Sequence, residues 1–213
     1  GVLSILYGAF NALAQDDLKK LIAYSSVSHM GFVFLGFAAF NEEGINGAIY
    51  QMFSHGILSS MLFLIVGVIY DRTHNRLIQN YRGLAGKMPL FTGVVVIAFF
   101  GSLGLPGISG FIGEFFSLLG AFKTDELSKW FPSLAVLGII LSAIYLLWTL
   151  QRMFFGNFWV NRELETSMED LNKKELFMLF GLGLLALLFG IWPNILFSIT
   201  NGGVDAFLIS IVK

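Results

Sequence analysis

Long apolar segments with almost no charge inside them constrain this chain more than any other feature. Stretches of about 20 apolar residues have the length needed to cross a bilayer as helices, and none of the six segments here contains Lys, Arg or Asp. We therefore predict an all-α polytopic membrane protein with a single transmembrane domain over 1–213. The predicted spans are 1–14 (cut short at its start), 21–40, 46–70, 90–122, 132–151 and 176–199, followed by an interfacial tail at 200–213.

The composition agrees with a membrane protein and excludes several other classes. Hydrophobic residues make up 56% of the chain and charged residues 13%, about half of the charged fraction usual in soluble domains. A net charge of −1 excludes a basic nucleic-acid-binding domain. The absence of cysteine excludes disulfides and thiolate-held iron–sulfur clusters in this chain. Because Gly1 is not a methionine and opens directly into an apolar run, we expect the chain to be part of a longer protein.

The distribution of basic residues between alternate connectors predicts the orientation. Ten Lys and Arg residues lie on one side and three on the other. Because basic loops stay on the cytoplasmic side, connectors 71–89 and 152–175 should face the cytoplasm or the mitochondrial matrix, with Gly1 and Lys213 on the periplasmic or equivalent side. The ten are Lys19, Lys20, Arg72, Arg76, Arg82, Lys87, Arg152, Arg162, Lys173 and Lys174, and the three are Lys123, Lys129 and Lys213.

The fourth apolar segment is too long for one straight crossing. Its 33 residues would form a helix of about 50 Å, whereas the hydrocarbon core is about 30 Å thick. Four glycines and a proline lie within residues 101–110, which predicts a helix broken in the membrane rather than a mere packing kink. In transporters such breaks mark the ion or substrate site. The residues assigned to the break are Gly104, Pro106, Gly107 and Gly110.

Three readily titrating side chains lie in the interior of the predicted spans: His29, His55 and Glu114. A charge at membrane depth costs roughly 3 kcal/mol on insertion scales, so such residues usually serve a pathway or a partner. His29 shares a helix face with Ser25, and His55 shares one with Gln51. Histidine titrates near neutrality and a buried carboxyl responds strongly to its surroundings. The three therefore predict a proton relay.

Simpler interpretations of the same residues stay open at this point. Glu114 could form a structural ion pair, or could be protonated and bonded to a freed carbonyl. Each histidine could bridge helices by a hydrogen bond. A metal site is not predicted, because there is no His-x-x-x-His or cysteine spacing and a third ligand is missing.

Three segments resemble the antiporter-like membrane subunits of respiratory complex I. The resemblance covers essentially residues 1–200 and is closest to the type called NuoM in bacteria and chain 4 in mitochondria. Sibling pump subunits and cation/proton antiporter subunits usually have lysine at the position of Glu114, so the glutamate favours this type. The segments are DLKKLIAYSSVSHMGF at 17–32, FSHG at 53–56 and GLPGISGFIGEF at 104–115.

The resemblance implies a fold and a role for each site residue. It implies a fourteen-helix protein with two inverted five-helix repeats, of which this chain would be the second repeat and the final helix. The fourth span would be the discontinuous helix, and His29, His55 and Glu114 would belong to a mid-membrane hydrophilic axis that conducts protons. The glutamate and lysines of the first repeat would lie upstream, so this chain would hold at most the exit-side half of a relay.

The leading functional hypothesis is a proton-translocating subunit of NADH:quinone oxidoreductase. This chain should carry no cofactor, with FMN and iron–sulfur clusters in other subunits. Its expected partners are the other membrane subunits of complex I, including sibling antiporter-like subunits, and the lipid bilayer. The alternative is a subunit of a cation/proton antiporter or a membrane-bound hydrogenase of the same fold. A third class is a structural scaffold in which the three residues only join helices.

Overall fold

The computed structural model describes residues 1–160 and 168–212, and eight α-helices account for most of them. Arg162 and Lys213, which enter the comparison of basic residues, lie outside the described residues. Two short antiparallel strands, β1 (Tyr81–Arg82) and β2 (Trp159–Val160), pair outside the helices. The helices are α1 (Val2–Leu13), α2 (Leu18–Ala38), α3 (Glu42–Thr73), α4 (Pro89–Ser102), α5 (Ser109–Lys123), α6 (Trp130–Phe154), α7 (Lys173–Ile191) and α8 (Asn194–Val212).

Polar side chains cap the starts of three apolar helices. The Asp17 carboxylate accepts hydrogen bonds from the backbone N–H groups of Lys19 and Lys20, and Asn41 accepts one from Gly44 at the start of α3. Asn172 forms a capping box with Glu175 at the start of α7. These caps satisfy amide groups that no carbonyl within the helix can reach. They explain why each helix begins where a short polar connector ends.

Four described helices, α2, α3, α6 and α7, are long and apolar enough to cross a membrane. Helices α4 and α5 have 14 and 15 residues, which gives each a length of about 21–23 Å. Each alone is too short for a crossing of about 30 Å, so the two halves share one span. The predicted discontinuous helix is confirmed: residues 103–108 separate its halves.

The end of the chain differs from the sequence prediction. Helix α7 ends at Ile191 rather than near 199, and residues 194–212 form a second long helix rather than a short tail. Pro193 explains the position of the boundary, because proline lacks a backbone N–H and disfavours helical geometry in the preceding residue. Trp192 accordingly has φ −120° and ψ 67°. Helix α8 returns to α3, where Thr200 donates a hydrogen bond to Asn46.

The described parts of the α1–α2, α3–α4 and α6–α7 connectors meet at one end of the helix bundle, which we call the connector end. Arg76 pairs with Asp17 at 3.2 Å and so joins the α3–α4 connector to the α1–α2 connector. Arg72 forms a bidentate ion pair with Glu175, with N–O distances of 2.8 and 2.9 Å. The strand pair joins the same region to the segment after α6. The α2–α3 and α5–α6 connectors lie at the opposite end.

Helices α3 and α5 approach so closely that side chains cannot fit between them at several positions. A Cβ atom added at Gly113 would lie 2.6 Å from the Cα atom of Gln51, and one added at Gly47 would overlap the Phe116–Ser117 backbone. Small residues permit this contact, as is common where membrane helices associate. Because Gly113 immediately precedes Glu114, the close contact fixes the position of the carboxylate relative to α3.

Candidate functional site

A buried polar pair joins α2 to α5 near the middle of the predicted membrane. His29 Nδ1 lies 2.9 Å from Glu114 Oε1, although the residues are 85 positions apart in the chain. The two residues are 3% and 4% exposed. This is a hydrogen-bonded pair in a low-dielectric environment, where such a bond is strong and an unpaired charge is very costly.

The broken helix brings its own backbone against the carboxylate. Gly104 lies in the break with φ +79°, and a Cβ atom there would lie 2.9 Å from Glu114 Oε2. Glycine is the residue that adopts this conformation without strain. The carboxylate thus sits between His29 on one side and the break on the other.

The other predicted break residues occupy different positions. Pro106 and Gly107 are exposed within residues 103–108, and Gly107 has φ +98°. Gly110 lies in the first turn of α5, where it contacts the carbonyl oxygen of Gly101 at the end of α4. Gly190 of α7 packs directly on the Gly107 carbonyl. The break is therefore enclosed partly by the two half-helices themselves and partly by α7.

His55 of α3 completes the group of three. Its ring centroid lies 5.4 Å from that of His29, with an angle of 38° between the ring planes. The Nε2 atom of His29 is buried and has no hydrogen-bond partner among the described residues. The structure therefore brings together all three side chains that the sequence singled out, in the order His55, His29, Glu114.

Several polar groups near the three were not identified as site candidates from the sequence. Gln51 Oε1 and Ser117 Oγ are buried without a hydrogen-bond partner in the described part of the chain. The Tyr145 phenol of α6 lies near Ser25 of α2 without making a hydrogen bond of normal geometry to it, and the residue is 1% exposed. Helical spacing was the available signal for Ser117, which lies three residues after Glu114. No spacing within α6 could show that Tyr145 faces α2.

The other ion pairs of the described residues lie near the ends of helices. They join Arg72 to Glu175, Arg76 to Asp17, Lys123 to Glu43 and Lys129 to Asp125. His29 is thus the one described counter-ion of Glu114. The pair can be neutral overall in two ways, as carboxylate with imidazolium or as carboxylic acid with imidazole. These forms differ by moving one proton across a 2.9 Å hydrogen bond, so the pair can hold a proton without burying a net charge.

The described residues form no cluster of three or more His, Cys, Asp or Glu side chains that could hold a metal ion. The site presents one carboxyl and two imidazoles, which are side chains suited to acid–base chemistry.

Comparison with known proteins gives consistent matches. Residues 1–144 match the family described as NADH:quinone oxidoreductase/Mrp antiporter, TM. The chain is 45% identical over 208 residues to NADH-quinone oxidoreductase subunit M of Rickettsia felis, covering 98% of this chain and 41% of that protein. The chain therefore spans about two fifths of the length of that relative.

Two solved structures show the same arrangement of helices. A chain of respiratory complex I from Thermus thermophilus with bound NADH superimposes with a TM-score of 0.87 at 37% identity, over 97% of this chain and 42% of that one. A chain of the Mrp complex from Dietzia sp. DQ12-45-1b gives a TM-score of 0.85 at 18% identity, over 95% and 45%. The second match concerns the fold alone.

The pair geometry predicts strong coupling between His29 and Glu114. His29→Ala should lower the melting temperature of the purified assembly, because it leaves a buried carboxyl without its partner. In a Glu114→Gln background, His29→Ala should lower the melting temperature by less. The coupling free energy between the two changes should be about 1–3 kcal/mol. The check is a double-mutant cycle of melting temperatures. The control pair is His74→Ala with Glu114→Gln, which should be additive because His74 lies in a connector; additivity for His29 would contradict the pairing.

Proposed function

The chain belongs to the NADH:quinone oxidoreductase/Mrp antiporter membrane family, and from that membership we propose that it forms a proton-translocating part of a membrane subunit of NADH:quinone oxidoreductase. The single observation that carries this proposal is the buried His29–Glu114 pair beside the broken helix. FMN, iron–sulfur clusters and quinone reduction belong to other subunits of the assembly. Sibling antiporter-like subunits are its expected neighbours in the membrane.

In this proposal Glu114 is the proton station and His29 is its first exchange partner. A proton on Glu114 passes to His29 Nδ1, and the ring can release another from Nε2 toward His55. Each imidazole accepts on one nitrogen and donates from the other, so the transfer leaves the number of protons on the ring unchanged. The Nε2 atom of His29, which has no hydrogen-bond partner among the described residues, and the closeness of the His29 and His55 rings support this route of transfer.

A row of polar groups extends from the three residues toward the opposite end of the bundle. Gln51 lies one turn before His55 on α3, and Ser117 lies one turn after Glu114 on α5. Both have a buried, unpartnered oxygen among the described residues. Beyond them a cavity of about 280 Å³ is lined by residues that include Glu42, Glu43 and Asn46. We assign this row as the exit branch of the half-channel.

The alternative, a cation/proton antiporter subunit, shares the fold. Similarity favours the oxidoreductase, since identity is 45% to subunit M of Rickettsia felis and 18% to the Mrp chain. Glu114 also favours the oxidoreductase, because the antiporter subunits usually carry lysine at this position. A structural scaffold is disfavoured by His29 Nε2, which is buried without a hydrogen-bond partner in the described part of the chain, because buried polar groups in a purely structural role are normally hydrogen-bonded.

We also propose that the connector end faces the cytoplasm or the matrix. Arg72, Arg76, Arg82 and Arg152 all lie at this end, and contacts between connectors support the grouping. The lysines at the opposite end, Lys123 and Lys129, are each paired with an acidic side chain. Basic residues at one end oppose translocation of that end.

The proton-station role predicts that Glu114→Gln lowers NADH-driven proton pumping by about tenfold or more, because glutamine keeps the shape but cannot ionise. Glu114→Asp should retain part of the activity. The measurement is proton uptake with quinone-linked NADH oxidation in proteoliposomes of the full complex, with assembly checked on native gels. Glu126→Gln, in an exposed loop, is the control. Normal pumping by a fully assembled Glu114→Gln complex would refute the station.

The proposed orientation predicts from which side of the membrane a single introduced cysteine can be labelled. Asn80→Cys and Asn172→Cys should react with an impermeant thiol reagent in inside-out vesicles and stay unreacted in right-side-out vesicles or intact cells. Ser128→Cys, in the α5–α6 connector, should show the reverse pattern. Labelling of Asn80→Cys from the outside would overturn the orientation without affecting the proton-station test.

A further inference from the structure

Helix α6 carries a polar stripe that the proposed relay does not use. Ser142, Tyr145, Thr149 and Arg152 follow one another at spacings of three, four and three residues, so they lie along one face of the helix. Ser142, Tyr145 and Thr149 are 3%, 1% and 0% exposed. The stripe therefore runs inside the protein, through a helix whose other residues are mostly apolar, from mid-membrane to the connector end.

Three consecutive members of this stripe lack hydrogen-bond partners. The hydroxyl oxygens of Tyr145 and Thr149 and the Nε atom of Arg152 are buried, and none of them has a partner among the described residues. Leaving such a group unsatisfied destabilises the folded protein. Buried polar groups without a protein partner are the usual sites of internal water.

Thr149 is informative because a helical threonine has an easy local solution. Thr73 and Thr92 each donate to the carbonyl four residues earlier, both at 2.8 Å, and Ser142 donates to Ile139 at 2.7 Å. The Thr149 hydroxyl makes no such bond within the described structure. Its oxygen is thus free to bind a group beside the helix rather than the helix itself.

The two ends of the stripe meet different surroundings. Toward mid-membrane, Tyr145 lies near Ser25 of α2, which is one turn before His29. At its outer end, Arg152 lines two adjacent cavities of about 400 and 410 Å³, and Arg82 lines both as well. The Arg152 guanidinium lies 4.0 Å above the Trp148 ring. The stripe therefore extends from the neighbourhood of the buried pair to open space at the connector end.

We propose that Tyr145, Thr149 and Arg152 line a hydrated proton path from the connector end to the Glu114–His29 pair. Each hydroxyl or water accepts one proton and passes on another, so no group in the path changes its net protonation, and Arg152 stays charged at the mouth. Protons would then reach the pair from the connector end and leave along the Gln51 branch. The proton-carrying role rests on the function proposed above; the hydration of the stripe does not.

Hydration can be measured without any pumping assay. Thr149→Cys, in the assembled complex, should be reached by silver ions added from the connector side, because a thiol reacts as the thiolate and therefore needs water. The chain has no cysteine of its own. The readout is protection from maleimide labelling after denaturation. The controls are Leu150→Cys and Leu146→Cys, which lie in the apolar core on the same helix. Silver ions should react with them at least about tenfold more slowly than with Thr149→Cys.

Each outcome decides the proposal. Equal rates at 149 and 150, or no protection at 149, would mean a dry stripe and would overturn the path. If 149 is accessible, a Tyr145→Phe/Thr149→Val double variant tests proton transfer. It should pump at least about twofold more slowly, since water bridges part of the gap, while Thr92→Val, whose hydroxyl bonds its own helix, should be unaffected. Unchanged pumping by the double variant would leave a hydrated cavity and refute the proton path.

Discussion

The hydrogen bond between His29 and Glu114 is the polar contact that joins α2 to α5 inside the bundle, and the proposed function depends on it. A carboxyl at this depth is tolerated only with a partner, and His29 is the partner that the described residues supply. The position of Glu114 is set in turn by the close packing of α3 and α5 at Gly113 and by the break at Gly104. The close packing and the break therefore hold the carboxylate against His29.

The broken helix lies at the point from which polar groups extend toward both ends of the bundle. Because the span is split into halves of 14 and 15 residues, the irregular backbone at Gly104 lies against the Glu114 carboxylate, while Pro106 and Gly107 are exposed. Polar groups then extend from the pair in both directions, through Gln51 toward the opposite end and through Tyr145 toward the connector end. In the function proposed here, a carboxyl at this junction exchanges protons with either side, as a coupled translocator requires.

Much of this organisation could be predicted from the sequence. Span length and the glycines of 101–110 predicted the broken helix, and the rarity of charge inside spans identified His29, His55 and Glu114. The end of α7 was predicted wrongly. The sequence stays apolar through Pro193, whereas the helix ends before this proline. The unpartnered hydroxyls of Tyr145 and Thr149 could not be foreseen, since a missing hydrogen bond is a property of tertiary packing. The Asp170 carboxylate accepts hydrogen bonds from the backbone N–H groups of Leu90 and Phe91 at the start of α4. This contact also could not be predicted from the sequence.

Infrared difference spectroscopy of the assembled complex tests the central claim most directly. On addition of NADH, a proton station at Glu114 should change its protonation, so the carbonyl stretch of a carboxylic acid should appear or disappear and shift in D₂O. That band should be absent from the Glu114→Gln complex and retained in the Glu126→Gln complex. A spectrum in which no carboxylic acid band depends on Glu114 during turnover would contradict the account, because the buried pair would then be a static contact between helices.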